Sequence, residues 1–321
     1  MWRVIIIGFS KDLSGKKDLV ENSALPFGDH SLDSLYTQAA EATRAGSRGF
    51  FFATRYFPLD LARAAHAVYW FCHYTLQLGR QAATPEQGLA DLDQWDSLVT
   101  SGLRGRLARH PVLDVFLDTV DHRSIPHDCA RELIEGVRID IKQQRYTTFA
   151  QLRGRCQRVG GTVSLMMAHV VGFRDPALDY MADLGIAIEL TTLLRDTGMH
   201  LARGRIYLPM EEMQAFGYGL AELDGHIRDD AFRRLMQLQS RRIHEYYTAA
   251  EPGLALLDSR GRFAVKVAFD LYSQTLRRME HTGFDVFGLG GAGVPAVERA
   301  WITARSMAGP ITRRLWKVMG A

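Results

Sequence analysis

From Ser31 to Met319, apolar residues recur at i, i+3, i+4 and i+7 in one stretch after another, and alternating β-branched runs are missing after the first few residues. This pattern predicts an all-α fold with helices over 31–46, 59–82, 88–103, 107–121, 126–144, 148–172, 175–201, 226–250, 260–281 and 292–319. Pro58 and Pro209 stand where helices begin, a position that their fixed φ permits. The stretches Gly161 to Phe173 and Ala182 to Leu194 are apolar around most of their circumference, which marks central helices wrapped by others. A bundle of this kind packs solid or encloses a pocket, and polar residues on its apolar helices are the place to look for a site.

Four such residues stand out. Glu189, Thr192, Asp196 and His200 are spaced by three, four and four residues, so a continuous helix would line them up on one face among Leu184, Ile186, Ile188, Leu190, Leu193 and Leu194. Burying acids is costly unless they are paired or hydrogen-bonded, so the row needs a reason. One reason is structural: the groups bond Arg195, neighbouring hydroxyls or another helix. The other is chemical, and the sequence favours it, because ionisable groups on an apolar helix facing a cavity commonly serve a reaction.

Composition narrows the field. A chain of 321 residues, 47% hydrophobic and 23% charged, can bury a large core, and no Pro/Ser-rich linker or fixed-period repeat divides it. We therefore expect one domain over 31–321, preceded by an extension, 1–30. A net charge of +3 with scattered basic residues excludes a dedicated nucleic-acid binder. Cys72, Cys129 and Cys156 lack paired spacing, which fits a reducing cytoplasm and neither a disulfide framework nor a zinc site. The apolar start is too short for a signal sequence, and no run approaches the ~18 apolar residues of a membrane span. Gly160-Gly161 and Gly288 to Gly293 do not link a strand to a helix, so neither is a nucleotide loop; the second reads as a hinge. The segment Trp301 to Met319 carries Arg305, Arg313, Arg314 and Lys317 beside Ile302, Leu315, Trp316 and Val318. It reads as a final bundle helix or as a peripheral membrane contact.

The segment Asp183-Leu-Gly-Ile-Ala-Ile-Glu-Leu-Thr-Thr-Leu-Leu-Arg-Asp-Thr-Gly-Met-His-Leu-Ala-Arg-Gly-Arg-Ile-Tyr-Leu-Pro209 closely resembles the second signature of the squalene/phytoene synthase family. Further matches in family order are Gly49 to Pro58, Ala67-Val-Tyr-Trp-Phe-Cys72, Arg145 to Phe149 and Val159-Gly-Gly-Thr-Val163. The resemblance implies the isoprenoid-synthase fold, a helical bundle around a central apolar cavity, and a long isoprenoid or polyene substrate. On the matched positions it implies substrate contacts at Phe50, Arg55, Tyr69, Val159, Val163, Tyr207 and Tyr272, and Gln77, Arg80, Arg155 and Thr192, which depart from the family pattern, are candidate substrate contacts beside them. It also implies that the helix of His73 faces the helix of Asp196.

Family members join prenyl diphosphates head to head, with two Asp-rich motifs holding the magnesium that neutralises the leaving diphosphate. Here the first cluster reads Leu76, Gln77 and Arg80 at its acidic positions, and its preceding Arg is His73. In the second, Asp196 remains, the usual Asn is Thr192, and the closing Glu-Asp pair is Met199-His200. Gly49, Arg155 and Gly290 stand where a family serine, an aromatic and a basic residue are expected. The expectation is an enzyme without metal or other cofactor. It is a cyclase or transferase in which Asp196, His200, Glu189 and His73 move protons, with Asp196 orienting His200. Its substrate would come from a partner biosynthetic enzyme. Two rivals stand beside it: a non-catalytic isoprenoid-binding or assembly subunit, and a prenyltransferase that holds diphosphate with Arg80 and Arg155. A facial triad of His73, Asp196 and His200 ranks lower, for want of further ligands.

Overall fold

In the computed structural model, residues 31–288 are described. The segment 1–30, the helix expected over 292–319 with its basic face, and Gly290 lie outside them. The described chain divides after Lys142 into two compact units, each built from helices, with no strand among the described residues.

The first unit holds α1 (Leu32–Gly46), α2 (Arg48–Thr54), α3 (Leu59–Gln81), α4 (Pro85–Leu103), α5 (Pro111–Arg123) and α6 (His127–Lys142). Local chemistry sets their starts. Ser31 and Thr84 accept hydrogen bonds from the backbone N–H groups of Ser34 and Gln87, at 3.3 and 3.2 Å, and Pro85 and Pro111 open their helices. Helix α3 is the centre, packed by α1, α4, α5 and α6. Leu35, Ala39, Ala67 and Val115 form one knot of its core, and Phe71 stacks on Phe116 at 3.8 Å. Trp95 buries its indole N–H by donating to Thr75 Oγ1 at 3.0 Å.

The second unit holds α7 (Phe149–Cys156), a π-helical turn (Gln157–Gly161), α8 (Thr162–Val171), α9 (Ala177–Arg195), α10 (Thr197–Leu201), α11 (Met210–Ala215), α12 (Leu220–Asp224), α13 (Asp230–Ala250), a 3-10 segment (Glu251–Leu256) and α14 (Ser259–His281). As the all-round apolar pattern of α9 implies, every residue from Leu184 to Arg195 is buried, wrapped by α8, α13, α14 and the π turn.

Two expected helices are interrupted. The run 148–172 contains the π turn, whose Gly160 packs backbone to backbone against Gly185 of α9: a Cβ on Gly160 would lie 2.3 Å from the Gly185 carbonyl oxygen. The run 175–201 breaks at Asp196 (φ −97°, ψ 19°), where the Gly198 N–H turns out to the Val286 carbonyl at 3.1 Å. Glu189, Thr192, Asp196 and His200 therefore straddle a helix break and do not share one continuous face.

Candidate functional site

In the second unit the polar residues of α9 are drawn into one cluster. Glu189 and Arg155, from α9 and α7, form an ion pair with both side chains fully buried. Thr192 Oγ1 donates back to the Ile188 carbonyl at 2.9 Å and hydrogen-bonds the Tyr272 phenol, whose ionisation burial pushes far up. Arg195 grips the neighbouring Asp196 carboxylate with Nε at 2.8 Å and Nη2 at 2.5 Å. Burial opposes the Arg195 charge, but the Asp196 hydrogen bond and charge outweigh it and hold the guanidinium above its ordinary value.

His200 is buried and sets its ring edge-on to Tyr207 at 4.7 Å, in a small pocket lined also by Thr197, Arg205, Leu208 and Leu223. The Arg155 guanidinium carbon lies over the Tyr207 ring, 5.4 Å from its centre, and Tyr146 stacks on Tyr207 at 5.7 Å. Val159 and Val163 are buried on the π turn and α8. The structure thus gathers Arg155, Glu189, Thr192, Asp196, His200, Tyr207 and Tyr272. It gives the Asp196 carboxylate to Arg195, a residue the sequence reading treats only as a structural partner.

In the first unit the positions of the first acidic motif lie on α3. The Tyr69 ring stacks with Phe50 at 5.5 Å and with His73 at 5.6 Å, and Gln77 Nε2 lies 3.3 Å from His73 Nε2. Leu76 is buried, Arg80 is half-buried and Arg55 is exposed. Burial, and after it the Arg80 charge, lowers the His73 pKa to about 4.

His66 belongs to the same face, seven residues before His73, and the sequence reading missed it. Its Nε2 is 2.7 Å from Thr54 Oγ1, its ring stacks on Phe51, and burial lowers its pKa to about 4 as well. The i, i+7 spacing of two histidines on one helix was the available signal. A consequence follows for stability. Below pH 6.5 the unfolded chain takes up protons on both imidazoles, whereas the folded chain does so only near pH 4. Stability from these groups is complete above pH 6.5 and drains as the pH falls toward 4. Urea midpoints should therefore drop across this window, and the double variant H66Q/H73Q should flatten the slope. An unaltered slope would remove the two histidines as its source.

Magnesium held by the family's paired acidic motifs needs several oxygen donors with uncompensated charge. In the first unit the positions hold Leu76, Gln77 and Arg80; in the second, Glu189 and Asp196 are each committed to a guanidinium. Two cations thus face two anions in this cluster. Among the described residues no three His, Cys, Asp or Glu side chains converge on a metal position.

Solved structures of similar fold define the class. A dehydrosqualene synthase in complex with ligand superposes with TM-score 0.79 over 86% of this chain and 96% of its own, at 22% identity. A squalene synthase from Alicyclobacillus acidocaldarius gives TM-score 0.74 over 80% and 97%, also at 22% identity. The fold is the all-α isoprenoid-synthase fold. Residues 43–304 match the squalene/phytoene synthase family, and the chain belongs to that family. It is 34% identical over 269 residues to a phytoene synthase of Arthrospira platensis, covering 78% of this chain and 86% of the relative. It is 34% identical over 276 residues to a 15-cis-phytoene synthase of Synechococcus elongatus, covering 80% and 87%.

Proposed function

We propose that this chain binds a long apolar isoprenoid and acts on it by proton transfer, without the paired magnesium-diphosphate site of its relatives. The observation that carries this reading is the commitment of both buried carboxylates of the polar row to arginines: Asp196, which remains from the second acidic motif, to Arg195, and Glu189 to Arg155. The roles among the four candidate acid–base residues then divide. Glu189 and Asp196 are positioning residues, which hold two guanidinium groups and through Arg155 the Tyr207 ring. His73 and His200 are the groups left to exchange protons.

His73 suits one half of such chemistry. Its lowered pKa, about 4, leaves a neutral imidazole at pH 7. A proton-transfer isomerisation adds one proton to the substrate and removes another, and the neutral His73 imidazole, its ring stacked on Tyr69, suits the removal. Diphosphate binding through arginines fits less well, because Arg155 is buried on Glu189. A second reading, an isoprenoid-binding subunit without turnover, is favoured by the intrachain bonding of Glu189, Thr192 and Asp196.

Residues 31–321 then act as one domain of a cytoplasmic protein, and a partner biosynthetic enzyme supplies the substrate. No described helix is long and apolar enough to cross a membrane, and all three cysteines are free thiols. Mass spectrometry of lipid carried by the purified full chain identifies the substrate. With that substrate, H73Q and H200Q should each lower turnover on the order of 100-fold while ligand binding is kept. Unchanged turnover in both variants would overturn the assignment of the two histidines, and binding without any turnover in the parent would establish the second reading.

A further inference from the structure

The loop Arg104-Gly105-Arg106-Leu107-Ala108-Arg109-His110, between α4 and α5, is pinned at both ends. At its start Gly105 takes φ +82°. The Gly105 N–H donates to the Gly102 carbonyl at 2.8 Å and the Arg106 N–H to that of Ser101 at 3.2 Å, which closes the helix in a Schellman motif. At its end Arg109 takes φ +52°. The His110 carbonyl accepts from Leu113 and Asp114, and the His110 ring packs edge-on against Trp95 at 5.0 Å and Tyr74 at 5.1 Å.

A loop held this firmly nevertheless leaves Leu107 87% exposed, the most exposed large hydrophobic side chain among the described residues. Arg104, Arg106 and Arg109 flank it, all exposed, and none is ion-paired with another described residue. Arg104 and Arg106 also line an open depression with the hydroxyl residues Ser97, Thr100 and Ser101. Its one acid, Asp96, lies 3.6 Å from Arg138 of α6.

We propose that this loop docks the protein on an anionic phospholipid surface. Arg104, Arg106 and the adjacent hydroxyls take lipid phosphate oxygens, Arg109 adds charge from the other side, and Leu107 enters the hydrocarbon boundary. The pairing of unneutralised cations with one projecting apolar side chain is what selects a bilayer: its surface offers phosphate, and hydrocarbon lies just beneath. A soluble anion would satisfy the arginines but leave Leu107 in water. The proposal is independent of what the protein does with an isoprenoid.

Co-sedimentation of the full chain with vesicles tests it, using phosphatidylcholine alone and phosphatidylcholine with about 30% phosphatidylserine in about 0.1 M salt. Binding to the anionic vesicles only is expected. R104Q/R106Q/R109Q should lower the partition coefficient on the order of 100-fold, about fivefold for each arginine, and L107E about tenfold. These side chains are exposed, and thermal melts matching the parent would verify that the variants fold. Equal binding to both vesicles, binding to neither, or a triple variant that binds like the parent would each overturn the proposal. So would binding of inorganic phosphate by a protein that ignores vesicles, since that would make the depression a site for a soluble anion.

Discussion

Arg155→Met is expected to destabilise the protein by about 3–5 kcal/mol, because it leaves the Glu189 carboxylate fully buried without its cation. Both side chains of the pair have no solvent exposure, so water cannot take over the lost contact. The methionine occupies similar volume, which keeps cavity formation out of the measurement. The double variant R155M/E189L should recover most of the loss, since it removes both charges and their desolvation cost together. Urea denaturation of the full chain reads both quantities. A single variant that loses less than about 1 kcal/mol, or a double variant no better than the single, would show that Glu189 is not compensated by Arg155.

Gly185→Val should be comparably severe for a different reason. A Cβ at 185 would stand 2.2 Å from the Gly160 carbonyl oxygen and 2.5 Å from its carbon, and these are backbone atoms that cannot swing aside. The contact joins the π turn to α9, so relieving it pushes apart the two elements that carry Val159 and Glu189. Overpacking of side chains costs about 1–3 kcal/mol, and a backbone clash belongs at or above the top of that range. Gly154→Ala is the control: its Cβ would find only Arg158 Nη1, 3.9 Å away, and replacing a helical glycine there should stabilise by roughly 0.5–1 kcal/mol. If Gly185→Val melts with the parent, the close approach of π turn and α9 does not exist in solution.

Sequence periodicity was a sound guide to the long helices and a poor one to their interruptions. The helices at 59–81, 85–103, 230–250 and 259–281 lie within a few residues of expectation, because each repeats its apolar stripe over several turns. The segments 48–54, 210–215, 220–224 and 251–256 were missed because one or two turns carry no measurable period. Apolar content also hid the break at Asp196: what turns the helix there is the Gly198 N–H reaching Val286, a contact 88 positions away in sequence order.

The candidate site was legible in location more than in wiring. Glu189, Thr192, Asp196 and His200 stood out as polar residues on a buried helix, and the structure buries all four. Arg195 was recognisable as a partner because it is adjacent to Asp196. The pairing of Arg155 with Glu189 spans 34 residues, and no local pattern reports it. His66 went unnoticed because its place on α3 belongs to no matched motif, and only its stacking on Phe51 and its contact with Thr54 give it context.

The account rests on the claim that this family member works without magnesium-driven ionisation of a prenyl diphosphate, and diphosphate release tests that claim most directly. Purified full-length protein is incubated with geranylgeranyl or farnesyl diphosphate, with magnesium titrated against a chelator, and released diphosphate and hydrocarbon products are measured. The prediction is release no greater than in protein-free controls at every magnesium concentration, and no head-to-head product. Release that rises with magnesium, stops with the chelator and accompanies a condensed hydrocarbon would contradict it.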